Sequence, residues 1–146
     1  MHEILFRGQT RRFGEMVNAF SGKPIPSMWV CGGIFPQNGN GDRAIIYQQE
    51  PEFDKFSVYA DTVGQYIGRN DIDDKRIFEG DIVNAFTKYS PTHSGTETGV
   101  IFWDGERCGF RLRNRLGNVF DINMFDDLKI IGNIYDNPEI LKGDPH

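Results

Sequence analysis

The chain is poor in the residues that most often carry chemistry. It has two cysteines, Cys31 and Cys108, far apart among 146 residues. Two such thiols read as small core or turn residues, not as a disulfide or a metal pair. The three histidines are His2, His93 and His146, and no two stand at the His-Glu-x-x-His spacing of a zinc site. His93 lies in a Pro/Thr/Ser loop and reads as an exposed loop residue. There is no Gly-x-Ser-x-Gly nucleophile elbow. No apolar run reaches transmembrane length, and the opening Met1–Arg7 has no signal-peptide core. The expectation is a protein of the cytoplasm with reduced thiols and no membrane partner. No window holds an apolar 3.6-residue period for much more than two turns, which excludes long helices. Nor is there a basic excess: 16 Lys and Arg stand against 21 Asp and Glu, a net charge of −5. That balance argues against a non-specific duplex binder.

Three motifs that invite a chemical reading fail on inspection. Gly39-Asn40-Gly41-Asp42 could cradle a phosphate, but the Gly-Lys-Ser/Thr of a Walker loop is missing, and so is the helix whose amides would face the ligand. Asp71, Asp73 and Asp74 suggest calcium, yet counting from Asp71 places Arg76 and Ile82 where an EF-hand needs Gly and Glu. Glu79 and Asp81 form a carboxylate pair, but they lie two apart around Gly80, in a turn that their side chains would cap. No cofactor, no metal and no catalytic residue is expected, and the chain does not read as an enzyme.

What is present is aromatic and turn-rich: 12 Phe, 5 Tyr, 2 Trp, 17 Gly and 7 Pro. Short apolar runs between such turns favour a mainly β class. The organising stretch is Ile77-Phe-Glu-Gly-Asp-Ile-Val83, in which Gly80 can turn with positive φ and Ile82 and Val83 are good strand formers. Around it the expected strands are 62–67, 77–83 running on to 89, 100–103, 107–115, 119–122 and 128–135. Gly68–Asp71 reads as a turn, 90–99 as a long loop, and Asp104-Gly105 as a hairpin turn. This spacing suits a small closed or half-closed barrel over about 62–135, which would hide its sheet edges.

The amino-terminal part reads as a strand over 3–7, a polar turn over 8–12 and a return strand over 13–17. A Gly/Pro-rich irregular segment follows over 21–40, with Met28-Trp29-Val30 as an edge strand or plug. Strands are expected again over 43–49 and 56–60. Asn137-Pro138-Glu139 reads as a short helix start with Asn as N-cap. The division is 1–60 as hairpin and irregular extension, 61–137 as the β-roll and 138–146 as a turn and tail, together one compact unit.

One stretch stands out as a candidate binding face. Arg107, Gly109, Arg111, Arg113 and Arg115 alternate with Cys108, Phe110, Leu112, Asn114 and Leu116. On a strand, i and i+2 share a face, so four guanidiniums would stand in a row about 6.6–7 Å apart. Each can make forked bonds to phosphate or carboxylate. Trp103 and Phe120, on neighbouring strands, would offer a base-stacking surface. The same arginines could equally be a solvated face paired with acidic groups, or could meet an acidic protein.

The order of these motifs resembles the YopX family of phage and prophage proteins. The resemblance rests on Val63-Gly-Gln-Tyr-Ile-Gly68, the Ile77–Val83 stretch, Gly99-Val-Ile-Phe-Trp103, the Phe-containing strand at 109–112 and Leu128-Lys-Ile-Ile-Gly-Asn-Ile-Tyr-Asp-Asn-Pro138. Ile4-Leu-Phe-Arg7 fits the family's opening strand, whereas the Gly/Pro-rich 22–41 segment departs from the pattern. The resemblance implies a β fold with a Src-homology-3-like roll, carried in phage genomes and expressed in the bacterial host cytoplasm. It transfers no catalytic residue. The expectation is a non-catalytic binding or assembly module, a homo-oligomer or a partner of a host or phage protein. The alternative is a binder of single-stranded nucleic acid through the Arg107–Arg115 face.

Overall fold

The computed structural model describes residues 4–36, 42–48, 53–87 and 95–142. His2, His93 and His146, the Gly39–Gly41 run and much of the 90–99 loop lie outside them. The chain is mainly β and divides into two compact units, Met1–Tyr66 and Ile67–His146.

The first unit is an antiparallel sheet in the order β4-β3-β2-β1. Its strands are β1 (Phe6–Arg11), β2 (Met28–Pro36), β3 (Arg43–Gln48) and β4 (Asp54–Tyr59). The opening of β5 (Gly64–Asn70) joins it, with Gln65 opposite Phe6 and Gly64 opposite Arg7. Val30, Ala44, Ile46 and Val58 form its buried core, with Phe6, Ile34 and Phe56 against them. Two expectations are corrected here. The polar residues 8–11 continue β1 and do not turn: Gln9 is buried, and its N–H donates to Oγ1 of the equally buried Thr62 at 2.9 Å. The return strand of β1 is not 13–17 but β2, pairing Gly8 with Val30 and Gln9 with Trp29. Gly32 and Gly33, which read as loop, lie within β2. A Cβ on Gly32 would sit 1.9 Å from the Tyr47 carbonyl oxygen, so the glycine permits close approach of strand to strand.

The second unit holds the rest of β5, then β6 (Arg76–Phe78), β7 (Asp81–Phe86), β8 (Thr96–Asp104), β9 (Gly109–Asn114), β10 (Val119–Asp121), β11 (Asp127–Asn133) and a one-turn helix α1 (Glu139–Lys142). Five strands form an antiparallel sheet in the order β10-β9-β8-β7-β11. One face is sealed by Ile77, Val83, Ala85, Ile101, Leu112, Ile122, Phe125 and Leu128. The sheet is open and does not close into the expected barrel. Its ends are managed by other means: β10 is only three residues long, and β11 is engaged by the turn after β5. There Ile72 N–H donates to the Leu128 carbonyl at 2.9 Å, and Ile130 N–H donates to Asp71 Oδ2 at 3.0 Å. That turn falls later than expected, since Gly68–Asn70 remain in β5.

The Glu79-Gly80 turn links β6 to β7. Gly80 takes φ +94°, outside the comfortable range of a side-chain-bearing residue. Its N–H donates to the Ile101 carbonyl at 2.8 Å, and its own carbonyl accepts from Ile134 N–H at 3.0 Å. The buried Asp81 accepts from Phe78 N–H at 2.8 Å. The stretch is therefore a fold element in which one carboxylate caps the turn.

Candidate functional site

The outer face of β8 and β9 carries the charge. The register pairs Phe102 with Arg111 and Val100 with Arg113, and β10 sets Val119 opposite Arg113 and Asp121 opposite Arg111. Residues directly opposite share a face. Val100, Phe102 and Asp104 therefore stand beside Arg111 and Arg113, while Ile101, Leu112 and Phe120 line up on the sealed side.

Each arginine of the expected row has its own surroundings. Arg111 Nη1 lies 3.2 Å from Asp104 Oδ2, with the two side chains only 20% and 18% exposed. Partial burial pushes the Asp104 carboxyl up, but the Arg111 guanidinium and the amides of Glu106 and Arg107 outweigh it, holding the group below its ordinary value. Arg111 is thus committed to a half-buried pair. Arg113 is exposed, and its guanidinium lies 4.7 Å from the centre of the Phe102 ring. Arg107 and Arg115 are not strand residues. Arg107 is exposed in the 105–108 turn, and Arg115 is exposed in the turn after β9. That second turn is fixed by Asn114, whose Oδ1 accepts from Leu116 N–H at 3.0 Å and Asn118 N–H at 2.9 Å.

The row of four guanidiniums is therefore two on the strand and two at its ends. Nor do the two aromatic candidates stand with them. Trp103 is opposite Phe110, on the other face from Arg111 and Arg113, and the two rings meet edge-on at 5.1 Å. Phe120 is opposite Leu112 and packs against the core, its ring edge-on to Phe125 at 6.0 Å. A one-residue step on a strand reverses the face, and this parity sets both aromatics apart from the guanidiniums.

What the outer face does gather is a depression of about 360 Å³ in which Arg113, Arg115 and Glu79 meet Phe102, Tyr135 and Leu141. Glu79 comes from the β6–β7 turn, Tyr135 from the turn after β11 and Leu141 from α1. The turn carrying Tyr135 is held by Asn133 Oδ1, which accepts from Tyr135 N–H at 3.0 Å and Asp136 N–H at 2.8 Å. Asn137 opens α1 through its backbone, its carbonyl accepting from Ile140 N–H at 3.2 Å. Its side chain turns back to accept from Asn133 N–H at 3.3 Å. A second depression of about 630 Å³ shares Arg115 and Leu141 and adds Glu97, Leu116 and Ile140. The chemistry on offer in that first depression is two forked cationic donors, an apolar lining and one carboxylate. Such a surface fits an extended segment bearing both acidic and apolar groups. Among the described residues no group of three or more His, Cys, Asp or Glu is arranged to hold a metal ion, and neither Cys31 nor Cys108 is in a disulfide.

Phe102, Tyr135 and Leu141 are the contributors that sequence reasoning missed. Phe102 was accessible: it stands one position from Trp103 and shares Arg111's parity once the Asp104-Gly105 hairpin is fixed. Tyr135 carries no such signal, because a turn and not a strand delivers it.

The profile of the family described as "YopX protein" matches residues 29–142. No curated protein matches. Among solved structures the chain is similar to the crystal structure of protein EF1440 from Enterococcus faecalis, at 20% identity, over 97% of this chain and 99% of that one, with a TM-score of 0.45. No helix among the described residues is long and apolar enough to cross a membrane.

Proposed function

We infer, from the premise that this chain belongs to the YopX family, that it is a phage- or prophage-encoded binding module with no catalytic role. Its partner is a protein that presents an acidic, partly apolar segment to the outer face of β8 and β9. The observation that supports this reading is that Arg113 and Arg115 line one depression with Phe102, Tyr135 and Leu141, and that the Arg113 guanidinium stands 4.7 Å from the centre of the Phe102 ring. An apolar lining adds affinity for side chains, and the guanidiniums select carboxylates. Single-stranded nucleic acid is the weaker reading. A backbone-tracking groove needs a run of unpaired cations and a stacking platform on one face. Here Arg111 is paired with Asp104, and Trp103 and Phe120 belong to the other face.

The test is an NMR titration that observes the side-chain Nε–Hε groups of Arg113 and Arg115. One probe is a short peptide of alternating Glu and Phe, the other a labelled single-stranded oligonucleotide. The expected result is saturable shifts of both arginines with the peptide, and loss of peptide binding, read from the peptide's own resonances, in the Arg113→Ala, Arg115→Ala variant. Tighter binding of the oligonucleotide, with steep loss on adding salt, would replace this reading with the nucleic-acid one.

A further inference from the structure

A separate cavity lies within the second unit, at the end of the sheet where β10 stops short. β10 covers β9 only from Arg113 to Arg111, so Gly109 and Phe110 pair with β8 alone. The chain then leaves the sheet through one 3₁₀ turn, Ile122–Met124. A space of about 430 Å³ opens there, and Arg69, Arg107, Phe110, Asp121 and Asn123 are among the residues that line it. That volume is in the range that small-molecule sites occupy. The cavity shares no residue with the depression that holds Arg113 and Arg115.

The parts of its lining are held in place. The Arg69 guanidinium donates to three peptide carbonyls, those of Ile122 at 3.3 Å, Phe125 at 3.0 Å and Asp126 at 2.9 Å. These oxygens carry no net charge, so the cation keeps its own. Arg107 stands in the 105–108 turn, where its N–H donates to the Asp104 carbonyl at 3.2 Å and Glu106 N–H donates to Asp104 Oδ1 at 3.1 Å. Among the described residues neither Arg69 nor Arg107 is in an ion pair. Phe110 packs on the core, and the half-exposed Trp103 meets its ring edge-on at 5.1 Å. Asp121 accepts from Asn123 N–H at 3.1 Å through one oxygen. Two guanidiniums and a carboxylate thus border one space without neutralising each other. Arg111 borders it as well, but is committed to Asp104. Holding such groups in place before binding lowers the entropic cost of association.

We propose that this cavity binds a nucleoside 5′-monophosphate whose base carries N–H donors. Two cations and one carboxylate that face a common space favour a ligand with an anionic end and a donor end. Arg69 and Arg107 take the phosphate, to which a guanidinium makes forked bonds. Phe110, with Ile67 and Ile122 beside it, is the apolar wall on which a flat base rests. Asp121 accepts from the N–H groups of the base, and the Asn123 amide both donates and accepts. Guanine suits this end best, because its ring N–H and its amino group stand side by side and meet a carboxylate with two parallel bonds. Inorganic phosphate would leave the wall and Asp121 unused. An aromatic acid without N–H groups would set nothing against Asp121.

The proposal goes beyond the reading of Arg113 and Arg115 and does not rest on it. The experiment is calorimetric titration of the full chain with guanosine 5′-monophosphate at low salt, joined to NMR of the aromatic ring resonances. Saturable binding is expected, with the Phe110 and Trp103 resonances moving and those of Tyr135 still. Arg107→Ala, at an exposed turn position, should weaken binding by about tenfold or more, the worth of one charge-assisted hydrogen bond, with the melting temperature unchanged. Asp121→Asn should remove the preference for guanosine over adenosine 5′-monophosphate. A lack of saturable binding at millimolar nucleotide overturns the proposal, and so does binding that Arg107→Ala leaves intact. Inorganic phosphate that competes as well as the nucleotide would reduce the cavity to a plain anion site and overturn it too.

Discussion

At the scale of single residues, the most informative group is Asp71. It is 7% exposed, and its carboxylate gathers three amides from two parts of the second unit: Asp73 and Lys75 N–H at 2.9 Å on Oδ1, and Ile130 N–H at 3.0 Å on Oδ2. Burial pushes its pKa up, but these amides and the Lys75 charge outweigh it and hold the carboxyl below its ordinary range. A depressed carboxylate pKa contributes stability that is fully present above the unfolded value and is lost as pH falls through the folded one. Asp71→Asn is therefore expected to cost about 1–3 kcal/mol at neutral pH, read by urea unfolding. The difference from wild type should narrow below about pH 4. The sequence identified this residue as part of a polar turn whose spacing does not match an EF-hand loop. It could not show that Asp71 also reaches a strand 59 positions away, because that bond depends on the tertiary pairing.

At the scale of elements, alternation and turn chemistry placed β3, β4, β7 and β9 close to where they are found, whereas β8 starts at Thr96, inside the expected 90–99 loop. Boundaries failed where polar or glycine residues continue a strand. Gln9, Thr10 and Arg11 look like a turn, yet they extend β1. Gly32 and Gly33 look like a loop, yet strand packing needs the missing side chain at Gly32. The arginine face failed in the opposite way, because β9 spans only Gly109–Asn114 and leaves Arg107 and Arg115 in turns. The Ile77–Val83 stretch was the most legible element, since a glycine between two β-branched or aromatic pairs has few alternatives. Its glycine gives a direct test. Gly80 has φ +94°, and a Cβ there would meet the Tyr135 ring at 3.0 Å. Gly80→Ala should lower stability by more than about 1 kcal/mol and disturb the Tyr135 wall of the candidate site. Thermal unfolding and the Tyr135 ring resonances would report the two effects.

At the scale of the whole chain, the mainly β class was legible from composition and periodicity, because short apolar runs between Gly and Pro leave few other folds. Closure of the sheet was not. Whether five strands curl shut depends on shear and edge pairing, which local spacing does not encode. Here the three-residue β10 and the Asp71–Ile72 turn protect the two ends of an open sheet. The candidate arginine face lies wholly within the second of the two units, Ile67–His146.

The most direct test of the binding account is affinity capture from phage-infected or induced bacterial cells, with and without nuclease. Wild type would be compared with the Arg113→Ala, Arg115→Ala variant after both are shown to be folded. The account expects one protein species retained by the wild type, lost with the variant and indifferent to nuclease. Equal capture by both chains, or retention that vanishes once nucleic acid is digested, would contradict it.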